Sequence, residues 1–148
     1  MKQIIAAIDF SPVSDEVVDR AAQIARAFSA RLTLLHIAAP EPDFIGYDPG
    51  PETVRESRAG ELRFEHRELQ QRGKKLRDRG VDAEGLLIQG PTVETIIEKA
   101  RDIEADLIVL GSHGHGAVYR VLMGSISEGV VRAATVPILV IPAQTSKS

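Results

Sequence analysis

Short apolar runs alternate along this chain with stretches in which apolar residues recur at helical spacing. The apolar runs are nearly continuous, which is typical of strands covered on both faces of a parallel sheet. They predict five strands: Gln3 to Asp9, Arg31 to Ala38, Val81 to Gln89, Asp106 to Leu110, and Val136 to Ile141.

The segments between these runs predict four helices. The first begins at Ser11-Pro12 and runs to about Ser29, with apolar residues spaced by three and four. The others are predicted from Glu52 to Arg79 with a break near Gly60, from Gly90-Pro91-Thr92 onwards, and from Ile126 to Ala134.

The second helix carries three leucines seven residues apart: Leu62, Leu69 and Leu76. Three leucines interrupted by Gly73 are too few for a coiled-coil seam. The spacing therefore predicts that one face of this helix lies on the sheet and that its charged face meets solvent.

Strands that alternate with helices imply an α/β fold, a single doubly wound parallel sheet with helices on both faces. Ala39 to Pro51 holds four prolines and two glycines and is expected to be a surface loop. We expect one domain over residues 1–142 and a disordered polar tail over residues 143–148.

Composition narrows the functional classes. The chain has 148 residues, 43% hydrophobic residues, no cysteine and a net charge of −3. The cysteine count excludes disulfides, thiolate zinc sites and thiol catalysis, and it fits a cytoplasmic protein. The net charge gives no general attraction to nucleic acid or to an anionic membrane. Neither a membrane span nor a signal peptide is expected.

The most informative segment is the glycine-rich stretch from Gly111 to Ser125, between a predicted strand and a predicted helix. Open α/β sheets bind ligands at such turns. Glycine lets the backbone approach a phosphate, and free N–H groups at a helix start attract the anion. The alternative is a plain connection that uses glycine for its conformational freedom, which accounts poorly for four glycines.

Other ligand-binding motifs lack residues that they require. Gly73-Lys74-Lys75 lacks the first glycine and the hydroxyl of a phosphate-binding P-loop. Tyr119 stands where a dinucleotide motif needs glycine. A response-regulator receiver has a pair of acidic residues after its first strand, whereas Asp9 has no acidic neighbour. His113 and His115 have no cysteine or acidic residue beside them in the loop, which disfavours a metal site.

The spacing of Gly111, Gly114, Gly124 and Ser125 is Gly-x2-Gly-x9-Gly-Ser. This resembles the ATP-binding branch of the universal stress protein family. The resemblance extends to the segments that begin at Ile4, Leu34, Ala105 and Val136. It covers the chain except the loop after Ala39 and the tail.

The resemblance implies strand order 3-2-1-4-5, with Asp9 beside Gly111 at the point where the order reverses. It also implies ATP as ligand, with Mg²⁺ on the phosphates. The expected binding residues are Asp9, Ile37, Leu110, Gly111, His113, Gly114, Gly124, Ser125, Ile126 and Ser127.

Several of these residues have structural alternatives. Asp9 can instead form an Asx turn or cap the helix after Pro12, although Ser11 can supply that cap. Ser125 is expected to cap the fourth helix, and capping is compatible with phosphate contact. Family members often carry a basic residue where this chain has Tyr119, so Arg120 is a candidate for the cationic contact and equally a solvated side chain.

The resulting functional hypothesis is an ATP-binding module for stress response or signalling, with no catalytic residue assigned. Slow ATP hydrolysis or autophosphorylation is one alternative, and a ligand-free dimeric interaction module is another. The last strand, Val136 to Ile141, is an apolar sheet edge, which is a liability unless it is paired. We therefore expect a homodimer through this strand.

Overall fold

The structure, a computed structural model, describes residues 1–38, 52–113 and 123–143, with side chains in the second range from residue 56 onwards. Strands and helices alternate as the sequence predicts. In chain order they are β1 (Gln3–Ala7), α1 (Ser14–Phe28), β2 (Arg31–Ala38), α2 (Glu52–Asp78), β3 (Ala83–Gln89), α3 (Thr92–Asp102), β4 (Leu107–Gly111), α4 (Ser125–Ala133) and β5 (Ile138–Ile141).

The five strands form one sheet in the order β3-β2-β1-β4-β5, and all neighbouring strands are parallel. The central strand is β1, in which Ala6 lies opposite Leu34 of β2 and Val109 of β4. Both the predicted fold class and the predicted strand order are confirmed.

Each face of the sheet has its own apolar core. Alternate residues of a strand point to opposite faces, so Ile4 and Leu34 pack with α1 and α2, whereas Ile5 and Ile108 pack with α3 and α4. The three inner strands of the sheet, β2, β1 and β4, are almost fully buried. Burial on both faces explains why their sequences are apolar at nearly every position.

The first strand is shorter than predicted. It ends at Ala7 rather than Asp9 because a tight turn begins there. The N–H of Ser11 donates to Asp9 Oδ1, and Phe10 has a φ of 61°, which extended backbone does not adopt. Consequently α1 begins at Ser14, and the prediction that Ser11 caps it is wrong: its N-cap is Val13, which makes no side-chain cap bond.

Other strands and helices also begin or end at residues that differ from the predicted ones. Val81 does not open β3 as predicted, because its N–H donates to Leu76 O and closes the end of α2 after Gly80, whose φ is 85°. β5 begins at Ile138 rather than Val136. The helix α2 is continuous through Gly60, so the predicted break is wrong. The loop predicted at residues 39–51 and nearly all of the tail lie outside the described residues.

The helix α2 packs closely on β3. Leu69 and Leu76 are buried in the core, as the leucine spacing predicts. Where the two elements meet, a Cβ added to Gly85 would lie 2.7 Å from the carbonyl oxygen of Leu69. Glycine at position 85 therefore sets the distance between this helix and the sheet.

Gly85→Ala is expected to lower the free energy of unfolding by about 1–3 kcal/mol, because backbone must move to admit the methyl group. Gly60→Ala, on the same helix, is the matched control: its nearest neighbouring atom would be 4.0 Å away. This second change should stabilise the helix by roughly 0.5–1 kcal/mol. Urea unfolding of both variants tests the assignment, and equal effects would contradict it.

The start of the central strand is held by a carboxylate. Asp106 Oδ2 accepts the backbone N–H of Lys2 at 2.7 Å and that of Gln3 at 3.0 Å. These two bonds, the Lys2 bond foremost, hold the pKa of Asp106 below its usual value of 3.8. The charged form is the better acceptor, so it is favoured in the folded protein.

A lowered pKa means that this carboxylate stabilises the fold above pH 3.8 and that the contribution is lost as the pH falls through the lowered value. Asp106→Ala should therefore lower the melting temperature at pH 7, and its difference from the wild type should shrink below pH 3.8. Asp102→Ala, at the exposed end of α3, is the control. A difference that is independent of pH would contradict the role of the charge.

Candidate functional site

The candidate site lies at the carboxyl ends of β1 and β4, where the strand order reverses. The strand β1 has β2 as its neighbour on one side and β4 as its neighbour on the other. Because Ala6 lies opposite Val109, Asp9 and Ser112 each follow three residues beyond that pair. Ligands of open α/β sheets bind at this kind of position.

Asp9 organises the turn after β1. Its Oδ1 accepts the Ser11 N–H at 2.9 Å and the Ser14 hydroxyl at 3.3 Å. The Asx-turn alternative is therefore observed, and this bonding fixes the carboxylate at the edge of the sheet. A contact between Asp9 and a ligand is compatible with that arrangement and stays a prediction.

Gly111 ends β4 beneath the start of α1. A Cβ at this position would lie 2.5 Å from Cγ1 of Val13. The close approach gives Gly111 a packing role that the sequence did not reveal, because Val13 is distant in the chain. The same approach brings the first turn of α1 over the end of β4, so the two halves of the site are packed together.

Ser112 is a site residue that sequence analysis missed. It is buried, its carbonyl accepts the Gly124 N–H at 2.7 Å, and its N–H donates to Ile141 O at 2.8 Å. Its hydroxyl accepts the Ala143 N–H at 2.8 Å and lies 3.0 Å from His113 Nδ1. Ser112 therefore joins both ends of the glycine-rich segment to the end of β5.

The start of α4 differs in one respect from the prediction. Its N-cap is Gly124, with φ −69° and ψ 160°, rather than Ser125, which is the first helical residue and is exposed. Ile126 is also exposed, at 44%. Ser127 is buried and donates its hydroxyl to Gly111 O at 2.5 Å, so it ties the helix to β4.

The remaining predicted residues lie at the strand ends or beyond the described part of the chain. Leu110 is buried on the α3 and α4 face, and Ile37 lies next to the end of β2. Gly114 falls outside the described residues, as do His115, Tyr119 and Arg120. In the described ranges, no three histidine or acidic side chains are placed to hold a metal ion.

His36, which the sequence placed simply in a strand, contributes a polar contact beside the site. It is buried, its Nδ1 lies 2.9 Å from Ile8 O, and its Nε2 lies 2.8 Å from Oε2 of Glu65 on α2. These partners are 28 and 29 residues away in sequence, so no local pattern could reveal them. His66, by contrast, is exposed on the helix surface as predicted.

No helix within the described ranges combines the length and the apolar character needed to cross a membrane.

Comparison with known proteins identifies the family. The sequence model of the universal stress protein family matches residues 1–142. A universal stress protein of Thermus aquaticus is 35% identical over 143 residues, covering 95% of this chain and 98% of the relative. The structure of the universal stress protein UspA from Lactobacillus plantarum superposes with a TM-score of 0.76 at 25% identity, covering 95% of this chain and 97% of that one.

A universal stress protein solved in complex with cAMP superposes with a TM-score of 0.63 at 25% identity, over 95% of each chain. The family match and the alignment with the Thermus protein both cover all five strands of the sheet. The chain belongs to the universal stress protein family.

Proposed function

We propose that this protein binds ATP, with Mg²⁺ on the phosphates, as a nucleotide-dependent module of a stress response. The observation that carries the proposal is the bond from the Gly124 N–H to Ser112 O. It brings both ends of the glycine-rich segment and the start of α4 to the reversal point of the sheet. A glycine-rich turn joined to a helix start at that point is an arrangement suited to a phosphate chain.

The start of α4 supplies the electrostatic part of the site. The first N–H groups of a helix have no partner within the helix and carry partial positive charge. Ser125 and Ile126 are exposed at this helix start, which leaves their side of the helix open to an anion. Gly124 immediately before them removes a side chain from the path of the phosphates.

The end of β2 suits the base of the nucleotide. The Ile8 N–H donates to Leu35 O, so Leu35 directs its backbone groups towards β1. Successive residues of a strand alternate in this direction, and Ile37 therefore also faces the β1 side. The strand β1 ends at Ala7. The backbone of Ile37 thus faces the edge at which we place adenine.

The related structure with cAMP supports a nucleotide in this fold. We propose binding rather than rapid turnover, since Asp9 is engaged by Ser11 and Ser14 and forms the turn instead of standing ready as a base. Slow hydrolysis and a ligand-free interaction module are the competing functions. Titration with ATP separates the second of these from the proposal.

Gly124→Val tests the site directly. A β-branched side chain would fill the space assigned to phosphate, so we expect ATP affinity to fall at least about tenfold, equivalent to ~1.4 kcal/mol. Gly124 has a φ of −69°, which every residue adopts, so the backbone itself needs no glycine. The melting temperature without nucleotide should accordingly change little.

Calorimetric titration and thermal unfolding are measured on the same preparations. Gly124→Ala is the graded control, with a smaller side chain at the same backbone angles. Wild-type affinity in Gly124→Val would refute the phosphate assignment. Absence of ATP binding in the wild-type protein would favour the ligand-free module.

We also propose a homodimer through β5. Among the described strands, β5 has a neighbour on one side only. The carbonyl of Pro137 accepts a bond from Ile108 of β4, and that of Ile141 accepts one from Ser112 just after β4. The alternating residues Ile138 and Val140 therefore direct their backbone groups to the open edge. A two-fold axis at this edge would pair β5 with its copy.

Val140→Pro removes an outward N–H without removing a bond to β4, and proline is tolerated at such edge positions. We expect light scattering to show a dimer for the wild type and a monomer for this variant at micromolar concentration. Leu139→Lys is a poorer probe, because Leu139 packs against the α1 core. A wild-type monomer, or a variant that stays fully dimeric, would contradict the proposed interface.

A further inference from the structure

The described sheet has two outer strands, β3 and β5, and β3 is the longer of them. It has seven residues, whereas β5 has four. A free strand edge is a template for pairing with another chain, and natural edges often carry proline or lysine against it. The sequence of β3 contains neither, and its one charged residue, Glu84, is paired with Arg31 at 2.9 Å. The edge of β3 therefore needs protection from elsewhere in the fold.

Alternate residues of β3 direct their backbone groups away from the sheet. The carbonyl of Asp82, just before β3, accepts the N–H of Leu32, so Asp82 faces β2. The direction alternates along a parallel strand, and Ala83, Gly85 and Leu87 therefore face outward. Each of them presents one N–H and one carbonyl that a further strand could pair with.

Two side chains of α2 occupy outward carbonyls of this strand. Gln70 Nε2 donates to Gly85 O at 3.0 Å, and Arg77 Nη1 donates to Ala83 O at 2.9 Å. The two donors are seven residues apart, which places them two turns apart on one face of the helix. The acceptors that the first half of β3 would offer to another strand are therefore already in use.

Two glycines allow α2 to approach the strand closely enough for these bonds. A Cβ on Gly73 would lie 3.2 Å from Arg77 Nη1 and 3.3 Å from the backbone nitrogen of Gly85. A Cβ on Gly85 would meet the Leu69 carbonyl. Glycine is destabilising in a helix interior. At position 73 it leaves room for the guanidinium and for the backbone of β3.

We propose that Gln70 and Arg77 protect the β3 edge against a second copy of this chain, and so limit assembly to the β5 edge. Without these donors the outward groups of β3 would be free to pair with those of another copy about a two-fold axis. A chain with two open edges associates at both and grows into an extended sheet, whereas a chain with one open edge stops at a dimer. The inference rests on the proposed β5 dimer only for the size of the final assembly.

The first test removes both donors by combining Gln70→Ala with Arg77→Ala. We expect sedimentation velocity at micromolar concentrations to show species larger than those of the wild type, and their share should increase with concentration. Arg67→Ala combined with Gln71→Ala is the matched control, because it removes the same two residue types from exposed positions on α2. This control should sediment as the wild type does. Unchanged sedimentation of the Gln70 and Arg77 variant would overturn the proposal, even where its melting temperature is lower.

The second test repeats the two changes in Val140→Pro, which separates the two edges. Val140→Pro alone should be a monomer, because its β5 edge is blocked. With Gln70→Ala and Arg77→Ala added, we expect a dimer through β3, at twice the monomer mass, and a monomer would overturn the proposal. If Val140→Pro leaves the association of the wild type unchanged, the β5 interface is refuted. Comparison of the Gln70 and Arg77 variant with its own parent still decides whether the two side chains protect β3.

Hydrogen exchange shows whether the new association uses β3. The N–H of Leu87 faces outward, so in the wild type no strand should protect it. It should become protected in the associated form of the Gln70 and Arg77 variant. Association through other apolar surface would leave it unprotected and would overturn the proposal.

A rescue variant separates the donors from the rest of the two side chains. Gln70→Lys combined with Arg77→Lys keeps a donor for each carbonyl, and lysine is itself a residue that protects strand edges. We expect this variant to sediment as the wild type does. Association as strong as in the alanine variant would contradict the protective role of the donors.

Discussion

The site exists because the central strand stops before its neighbours. The last paired residue of β1 is Ala7, opposite Leu35, whereas β2 continues to Ala38 and β4 to Gly111. Backbone polar groups need partners when they are shielded from water. The early end of β1 leaves an edge where β2 and β4 lack a strand between them, and the turn at Asp9 and the helix start at Ser125 border that edge.

Close packing determines how the edge is framed. Gly111 admits Val13, the N-cap residue of α1, and Gly85 admits the backbone of α2 at Leu69. Glycine at these positions serves contacts between elements as much as any ligand. Gly124, like these two, has backbone angles that suit any residue, so no turn requires glycine at this position. The absence of a side chain at Gly124 is the feature on which the proposed phosphate position rests.

The sequence predicted the elements well because buried parallel strands are apolar throughout and the helices carry one apolar face. It could not supply the strand order, which came from the family resemblance, since periodicity does not distinguish neighbours in a sheet. Element ends were predicted less well. The end of β1 depends on the Asp9 bond and the φ of Phe10, and the start of β3 depends on a turn at Gly80.

The site shows the same division. The spacing of the glycines, and the fact that Ser125 directly follows Gly124, were visible in the sequence. The roles of Ser112 and Ser127 were not, because each depends on a partner more than ten residues away: Ser112 meets Ala143, and Ser127 meets Gly111. The His36 contacts were hidden for the same reason. Pattern identifies which residues are available, whereas only the fold determines which oxygen each one faces.

The two faces of the sheet differ in the contacts that hold their helices. On the α3 and α4 face the core is apolar, with Ile5, Leu35 and Ile108 fully buried, and the Ser127 hydroxyl adds one bond to Gly111 O. On the other face, α2 adds to its buried leucines two polar side-chain contacts near the site, Glu65 with His36 and Arg72 with Asp15. The α2 face therefore adds specific polar contacts at the strand end that borders the candidate site, while the opposite face keeps the sheet and the start of α4 in place.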